Sequence, residues 1–101
     1  MAIALVSGIF TSTGQSDWVV IKGPFNISIQ GGRGTVKLEK SYDGGATAFD
    51  VSKNADGDVA SWVLTDGQEV TPQGEEPENG VSYRLNCTSY TSGNIPYRIS
   101  Q

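Results

Sequence analysis

The chain has 101 residues, the usual size of one domain, so a second independently folding unit is not expected. It has no histidine and one cysteine, which excludes Ser/His or Cys/His catalysis, a histidine-bound zinc site and an internal disulfide. The net charge of −4, with only seven Lys and Arg, offers no basic stripe to phosphates. We therefore expect no enzymatic activity, no cofactor, no metal ion and no nucleic-acid partner.

The first predicted strand covers residues 2–10. This segment is apolar, but it is short, lacks a basic start and runs into the polar residues 11–17. It fits neither a signal peptide nor a membrane-spanning helix, so no membrane partner is expected. A second strand is predicted over residues 17–22, and Gly23 and Pro24 are expected to end its hydrogen-bonded ladder.

A hairpin is predicted in the next part of the chain. Apolar and polar side chains alternate over residues 25–29, as in a half-buried antiparallel strand, and again over residues 35–42. Residues 31–34 are rich in glycine, which supplies the positive φ angles of a tight turn. Lys40 falls on the apolar face, so either this strand end is near solvent or the lysine stem lies along apolar surface.

Turns at 43–45, 54–58 and 66–67 separate two further predicted strands. One is short and passes through Phe49 and Val51, and the other covers residues 59–65. The turn at 54–58 has the oxygen density of a weak calcium loop, but it lacks the distal bidentate glutamate of an EF-hand. A plain turn is therefore predicted there.

The C-terminal third contains a predicted loop and two strands. Residues 71–80 combine prolines, glycines and glutamates, a composition typical of an exposed acidic loop. Residues 81–89 form the clearest long strand, and its alternation makes Cys87 a small buried residue rather than a reactive thiol. The last strand follows a turn at 92–94, and Pro96 favours an edge position because it lacks a backbone donor.

Short strands separated by Gly, Pro, Ser and Thr, with no helical periodicity, predict an all-β fold. The expected architecture is a small antiparallel β-sandwich, immunoglobulin-like or jelly-roll-like, forming a single domain over residues 1–101. Residues 79–85 resemble the beginning of a late strand in immunoglobulin-like domains, where a Tyr hydroxyl, here that of Tyr83, bonds back to the backbone. Residues 1–16 are expected to act as an N-terminal strand that exchanges with, or binds, a partner.

The segment 41–48, Ser-Tyr-Asp-Gly-Gly-Ala-Thr-Ala, resembles the Asp box, with Ala48 in the place usually held by Trp. Its Ser and Asp side chains can accept hydrogen bonds from turn amides. A single copy predicts a structural hairpin rather than carbohydrate chemistry. The other carboxylates fall in turns and loops, and their spacing does not indicate the facing pair of a glycosidase.

Three stretches, GPFNISIQGGRGTVKLEKSYDGG, SYDGGATAFDVS and GEEPENGVSYRLNCTSYTSGNIPYRISQ, resemble a family of small phage virion proteins of about this length. The likeness covers most of the chain. Its features are an F-x-I-x-I strand, an L-x-x-S-Y-D-G-G turn, an E-P-E-x-G-V-x-Y-R-L strand and a Y-T-S-G hairpin near an R-I-S-Q terminus. Ala48 departs from the aromatic residue that the family usually carries there.

The resemblance implies a structural protein of the virion: a capsid decoration or cement protein that binds the major capsid protein lattice and stabilises the head. It would be made in the host cytoplasm, reside on the capsid surface and form a homo-oligomer, with a trimer favoured. A tail, neck or fibre accessory protein is the first alternative. A carbohydrate-binding module that stacks sugars on Trp62, Tyr42 or Tyr90 is the second.

For the interface with virion partners we predict apolar and aromatic residues of the N-terminal strand and the terminal hairpin, because aromatic side chains are enriched at interface cores. Burial in the core of the domain is the alternative for Trp18. The predicted interface residues are Ile3, Leu5, Ile9, Phe10, Trp18, Tyr90 and Tyr97.

Overall fold

The computed structural model describes residues 4–52, 59–65 and 69–101, and every regular element in these ranges is a β-strand. The prediction of an all-β antiparallel fold is confirmed. The strands are β1 (Ala4–Phe10), β2 (Gly14–Gln15), β3 (Val19–Gln30), β4 (Arg33–Ser41), β5 (Phe49–Asp50), β6 (Ser61–Leu64), β7 (Glu69–Val70), β8 (Gln73–Ser92) and β9 (Ile95–Ser100). Ile3 and the turns predicted at 54–58 and 66–67 lie outside the described residues. No helix in the described part of the chain could cross a membrane.

The strands form one continuous hydrogen-bonded sheet in the order β1-β9-β3-β8-β4-β5. Beside this path, β2 pairs with β8, β6 with β4 and β7 with β3, and every pairing is antiparallel. An immunoglobulin domain instead divides its strands between two separate sheets. Here β3 and β8 are long strands that take part in several pairings, and the sheet curls over a single core.

Alternating side chains of β3 and β8 supply much of this core, as the period of two predicts. Cys87 is 1% exposed, so its predicted burial is confirmed. Strands β1, β4, β6 and β9 complete the same cluster. Its buried members are Phe10, Ile21, Phe25, Ile27, Ile29, Val36, Leu38, Ala60, Leu64, Val81, Tyr83, Leu85, Cys87, Ile95 and Ile99.

The predicted end of the ladder at Gly23 and Pro24 is wrong, because β3 continues through both residues. The register shifts between Ile21 and Gly23, and Gly23 has a φ of 86°, which glycine adopts without strain. Pro24 lies opposite Glu75. A bulge therefore bends the strand at this point without ending it.

The predicted acidic loop is also wrong in its first half. Residues 73–76 pair with β3, and Glu76 is buried. Residues 77–80 have no partner in β3, and all four are exposed. Residues 77–80 thus interrupt one long strand, and the residues on both sides of them pair with β3. Local sequence does not reveal that pairing partner.

The edge position predicted from Pro96 is wrong as well. Strand β9 lies between β1 and β3, so it is an interior strand. Pro96 pairs with Ile9 of β1, one residue before the ladder with β3 begins at Tyr97. The proline is tolerated there because it occupies the start of the strand.

Candidate binding surfaces

The residues predicted for the interface occupy several different places. Phe10 is 6% exposed, and its ring stacks on that of Tyr97 with 4.4 Å between the centroids. Leu5 is half-buried against the core, whereas Ile9 points outward and is 56% exposed. In the single chain, Phe10 therefore belongs to the core, and Ile9 alone of this group offers a largely free side chain.

Trp18 and Tyr90 have separate neighbours. The Arg84 guanidinium lies 4.3 Å from the centroid of the Trp18 ring, and Gly45 lies close to the indole. Tyr90 is half-buried against the core and donates its hydroxyl proton to the carbonyl of Gly93. Trp18 therefore packs between Arg84 of β8 and the turn at Gly45. Tyr90 closes the turn between β8 and β9.

Strand β1 forms one end of the sheet. It pairs with β9 on one side, and its other edge has no strand beside it among the described residues. The strand reads ALVSGIF, with no charge and no proline. Such a row of unpaired backbone donors and acceptors is a template for another strand.

The outer face beside this edge combines apolar and basic side chains. Ile9 lies opposite Pro96, and Ser7 lies opposite Arg98. A hollow of about 170 Å³ opens next to them, lined by Ser28, Gln30, Pro96, Tyr97 and Arg98. We call the free edge of β1 together with Ser7, Ile9, Pro96 and Arg98 the β1 surface.

Glu39 anchors an ion-pair cluster on the outer face of β4 and β8, which sequence reasoning missed. This buried carboxylate accepts hydrogen bonds from Arg84 Nε at 2.7 Å and from Asn86 Nδ2 at 3.2 Å. Lys37 Nζ lies 3.4 Å from Glu39 and 2.7 Å from Asp50. Burial alone would raise the pKa of the Glu39 carboxyl, but the bonds from Arg84 and Asn86 outweigh it and lower the pKa. The cluster thus holds ionised, paired groups.

Glu76 and Tyr83 form a second buried polar contact. The Tyr83 hydroxyl donates to Glu76 Oε1 at 2.6 Å, and the amide of Glu78 donates to Oε2 at 2.9 Å. The expected bond from Tyr83 to the backbone is therefore wrong, because its acceptor is a carboxylate. Burial and the nearby Glu76 charge raise the pKa of the Tyr83 hydroxyl, so it remains a donor.

The turn that resembles the Asp box has the hydrogen bonds expected of it. Ser41 Oγ donates to Asp43 Oδ1 at 2.6 Å and accepts from the Gly45 amide at 2.9 Å. Asp43 Oδ1 also accepts from the Thr47 amide at 2.9 Å. The bonds from Ser41 and then Thr47 lower the pKa of Asp43 to about 2. The side chains of Ser41 and Asp43 thus form hydrogen bonds that stabilise the turn.

The aromatic residues suggested as sugar platforms lie in different settings. Tyr42 is exposed, its ring centroid is 5.9 Å from that of Phe49, and Lys40 Nζ lies 5.2 Å from its centroid. The Lys40 ammonium thus lies near an exposed ring, which agrees with the first of its two expected settings, a strand end near solvent. Trp62 instead lines a cleft of about 290 Å³ whose walls include Phe25 and Tyr83.

Over the described ranges, no three Asp, Glu or Cys side chains are grouped so that they could hold a metal ion.

No family model matches the chain at a significant level, and neither does any curated protein. Among solved structures, the Drosophila melanogaster CENP-C cupin domain is similar, with a TM-score of 0.43 and 12% sequence identity. The alignment covers 95% of this chain but 58% of that domain, so the chain spans less than two thirds of its length. The class of protein defined here is an all-β domain built on one antiparallel sheet.

Proposed function

We propose that this chain is a structural protein of a phage virion, a decoration or cement protein that binds the major capsid protein lattice and stabilises the head. The resemblance to small phage virion proteins supports this role. The structural observation that carries the proposal is the uncharged edge of β1, which no other strand of the described residues pairs with. An edge of this kind is a liability in a protein that stays alone and a docking element in one that assembles.

Exposed apolar side chains agree with an assembling protein. Ile9, Val20 and Val63 are each more than half exposed, and they lie on β1, β3 and β6. Single exposed apolar residues are common on monomers, so these positions support the proposal only together with the open edge. Many symmetric copies on a head would make a modest contribution from each copy large in sum.

The test is co-sedimentation of the purified chain with phage heads that lack it, and separately with tails. We expect the chain to pellet with the heads and to raise the temperature at which they lose their DNA. An unrelated acidic protein of similar mass is the control. Binding to tails alone would favour a tail, neck or fibre protein, and a chain that stays in the supernatant with both would contradict the proposal.

A carbohydrate-binding module remains the second candidate, and the exposed Tyr42–Phe49 pair favours it. Aromatic rings of this kind can stack on the apolar faces of sugars. Binding to a glycan array that is lost in Tyr42→Ala, with no binding to heads or tails, would support the module over the virion protein.

A further inference from the structure

We infer that two copies of this chain join through the free edge of β1, which pairs antiparallel with its counterpart about a two-fold axis. The sheet of one copy then continues into the sheet of the next. This pairing rests on the proposed assembly role and names a second copy of the chain as the partner at the β1 surface. It predicts a dimer in place of the trimer that the resemblance to virion proteins implies.

The first reason is that β1 differs from the other short strands at the margins of the sheet. Strands β5 and β7 have two residues each, and each contains a carboxylate, Asp50 and Glu69 respectively. Strand β6 has four residues. Strand β1 has seven and carries neither a charge nor a proline, the devices that usually keep an edge from pairing.

The second reason is that most of β1 is regular. Its one register shift lies between Ala4 and Val6. From Val6 to Phe10 each residue has a successive partner in β9, from Ile99 to Ile95. A bulge would turn an edge away from a new strand, and this stretch has none, so it can accept one.

The third reason is the distribution of charge. The chain carries a net charge of −4, but residues 4–16 contain no charged residue and β9 contains only Arg98. The acidic side chains of the described strands lie on β4, β5, β7 and the first half of β8. Two copies that meet at β1 therefore bring neutral segments together, and solvent screens their more distant charges beyond roughly 8–10 Å.

The fourth reason is that the strand is complementary to itself. In a two-fold antiparallel pair centred on Gly8, Ser7 of one copy lies opposite Ile9 of the other, and Val6 lies opposite Phe10. Every position then faces a neutral residue. Ile9, which is 56% exposed in the single chain, is covered by the neighbouring copy. An isologous contact of this kind closes at two copies.

The experiment is sedimentation velocity of the wild-type chain over a concentration series up to about 1 mM, because a short edge predicts weak association. We expect a shift from monomer to dimer with rising concentration. The variant Ile9→Lys brings two ammonium groups close to the axis and should weaken dimerisation by at least about tenfold. The matched control is Val63→Lys, a somewhat more exposed apolar position on β6, where Val63 is 67% exposed, and it should dimerise like the wild type.

Urea unfolding checks that both variants keep the stability of the wild type, and if Ile9→Lys does not, Ser7→Lys replaces it, since Ser7 is also exposed. A wild type that stays monomeric, a trimer, or equal association of the Ile9 variant and the wild type would each overturn the pairing. A separate measurement of binding to phage heads distinguishes failure of the dimer from failure of the proposed function. A monomeric wild type that still binds heads refutes the dimer alone, whereas a β1 dimer that binds no virion component refutes the proposed function alone.

Discussion

Gly45 connects the turn after β4 to Trp18, which lies far away in the sequence. Its φ is 102°, and a Cβ at this position would lie 2.7 Å from the indole Nε1 of Trp18. Gly44 has a φ of 73°, but a Cβ there would meet nothing within 4 Å. Both glycines thus adopt a positive φ that disfavours other residues, and only at Gly45 would a side chain also collide with a neighbouring group.

We expect Gly44→Ala to cost about 1–2 kcal/mol of unfolding free energy, because an L-residue is strained in the left-handed region. Gly45→Ala should cost about 1–3 kcal/mol more, because its methyl group also collides with a packed ring. Urea denaturation of the two variants measures the difference.

The same pair of variants in a Trp18→Ala background isolates the ring contact. Without the indole, the extra cost of Gly45→Ala over Gly44→Ala should disappear. Equal costs in the chain that retains Trp18 would contradict the contact. The sequence indicated a glycine turn here, but it did not indicate that Trp18 reaches it, since nothing local joins the two segments.

The first part of β8 is held to the rest of the strand by the bond between Tyr83 and Glu76. Residues 77–80 bulge out between them, so the carboxylate and the phenol meet across a loop of the same strand. Burial tends to raise the pKa of Glu76, but the bonds from Tyr83 and the Glu78 amide outweigh it and lower the pKa below its usual 4.5. The bond therefore favours the ionised carboxyl.

We expect Tyr83→Phe to reduce the unfolding free energy by about 2 kcal/mol near pH 7, because a charged acceptor loses its donor. A carboxyl with a lowered pKa stabilises the fold fully above pH 4.5 and loses that effect as the pH falls through its folded-state pKa. The difference in unfolding free energy between the wild type and Tyr83→Phe should therefore become smaller below pH 4.5. Urea unfolding at a series of pH values measures it.

Tyr90→Phe is the matched control for this experiment. It removes a hydroxyl that donates to a neutral acceptor, the carbonyl of Gly93. Its cost should not change between pH 7 and pH 3. If the loss of unfolding free energy in Tyr83→Phe is also independent of pH, the bond to the Glu76 carboxylate does not account for that loss.

Pairing between distant strands also explains which contacts the sequence did not reveal. Glu39 meets Arg84 and Asn86 because β4 and β8 pair in one register, 45 and 47 residues apart in the chain. Local sequence places Glu39 on a polar strand face, as found, but the identity of its partners depends on that register. A shift of one residue would move Arg84 to the other face.

Cys87 is buried in the core cluster and can report on opening of the whole sheet. It is opposite Val36 on β4 and Gly14 on β2, and it is 1% exposed. Burial raises the pKa of its thiol and outweighs a backbone hydrogen bond of Ser89 that acts in the opposite direction. Reaction with a thiol reagent therefore requires separation of β8 from its neighbours.

We expect labelling of Cys87 by a chromogenic disulfide reagent at pH 8 to be slow in the folded chain. The rate should rise with urea in parallel with the global unfolding constant, because the sheet surrounds one core and opens as a unit. Absorbance at several urea concentrations measures this rate. Fast labelling of Cys87 without denaturant, or a labelling rate that does not depend on urea concentration, would show that the core does not open as a single unit.

Several features of this molecule follow from local pattern. The alternation over residues 25–29 and 81–87 correctly placed the buried faces of β3 and β8, and it placed Cys87 in the core. The Ser41–Asp43 turn was also recognisable, because its hydrogen bonds close within a few residues. These features depend on a period of two and on short-range bonding, which neighbouring residues specify by themselves.

Other features exist only in the folded sheet. The order of strands makes β9 an interior strand despite Pro96 and carries β3 through Gly23. It also leaves β1 with a single neighbour among the described strands. The buried bonds of Glu39 and Glu76 likewise appear only when residues far apart in the chain are brought together. Which strands pair is decided by the free energy of packing the whole core, to which every strand contributes, so no single segment carries that information.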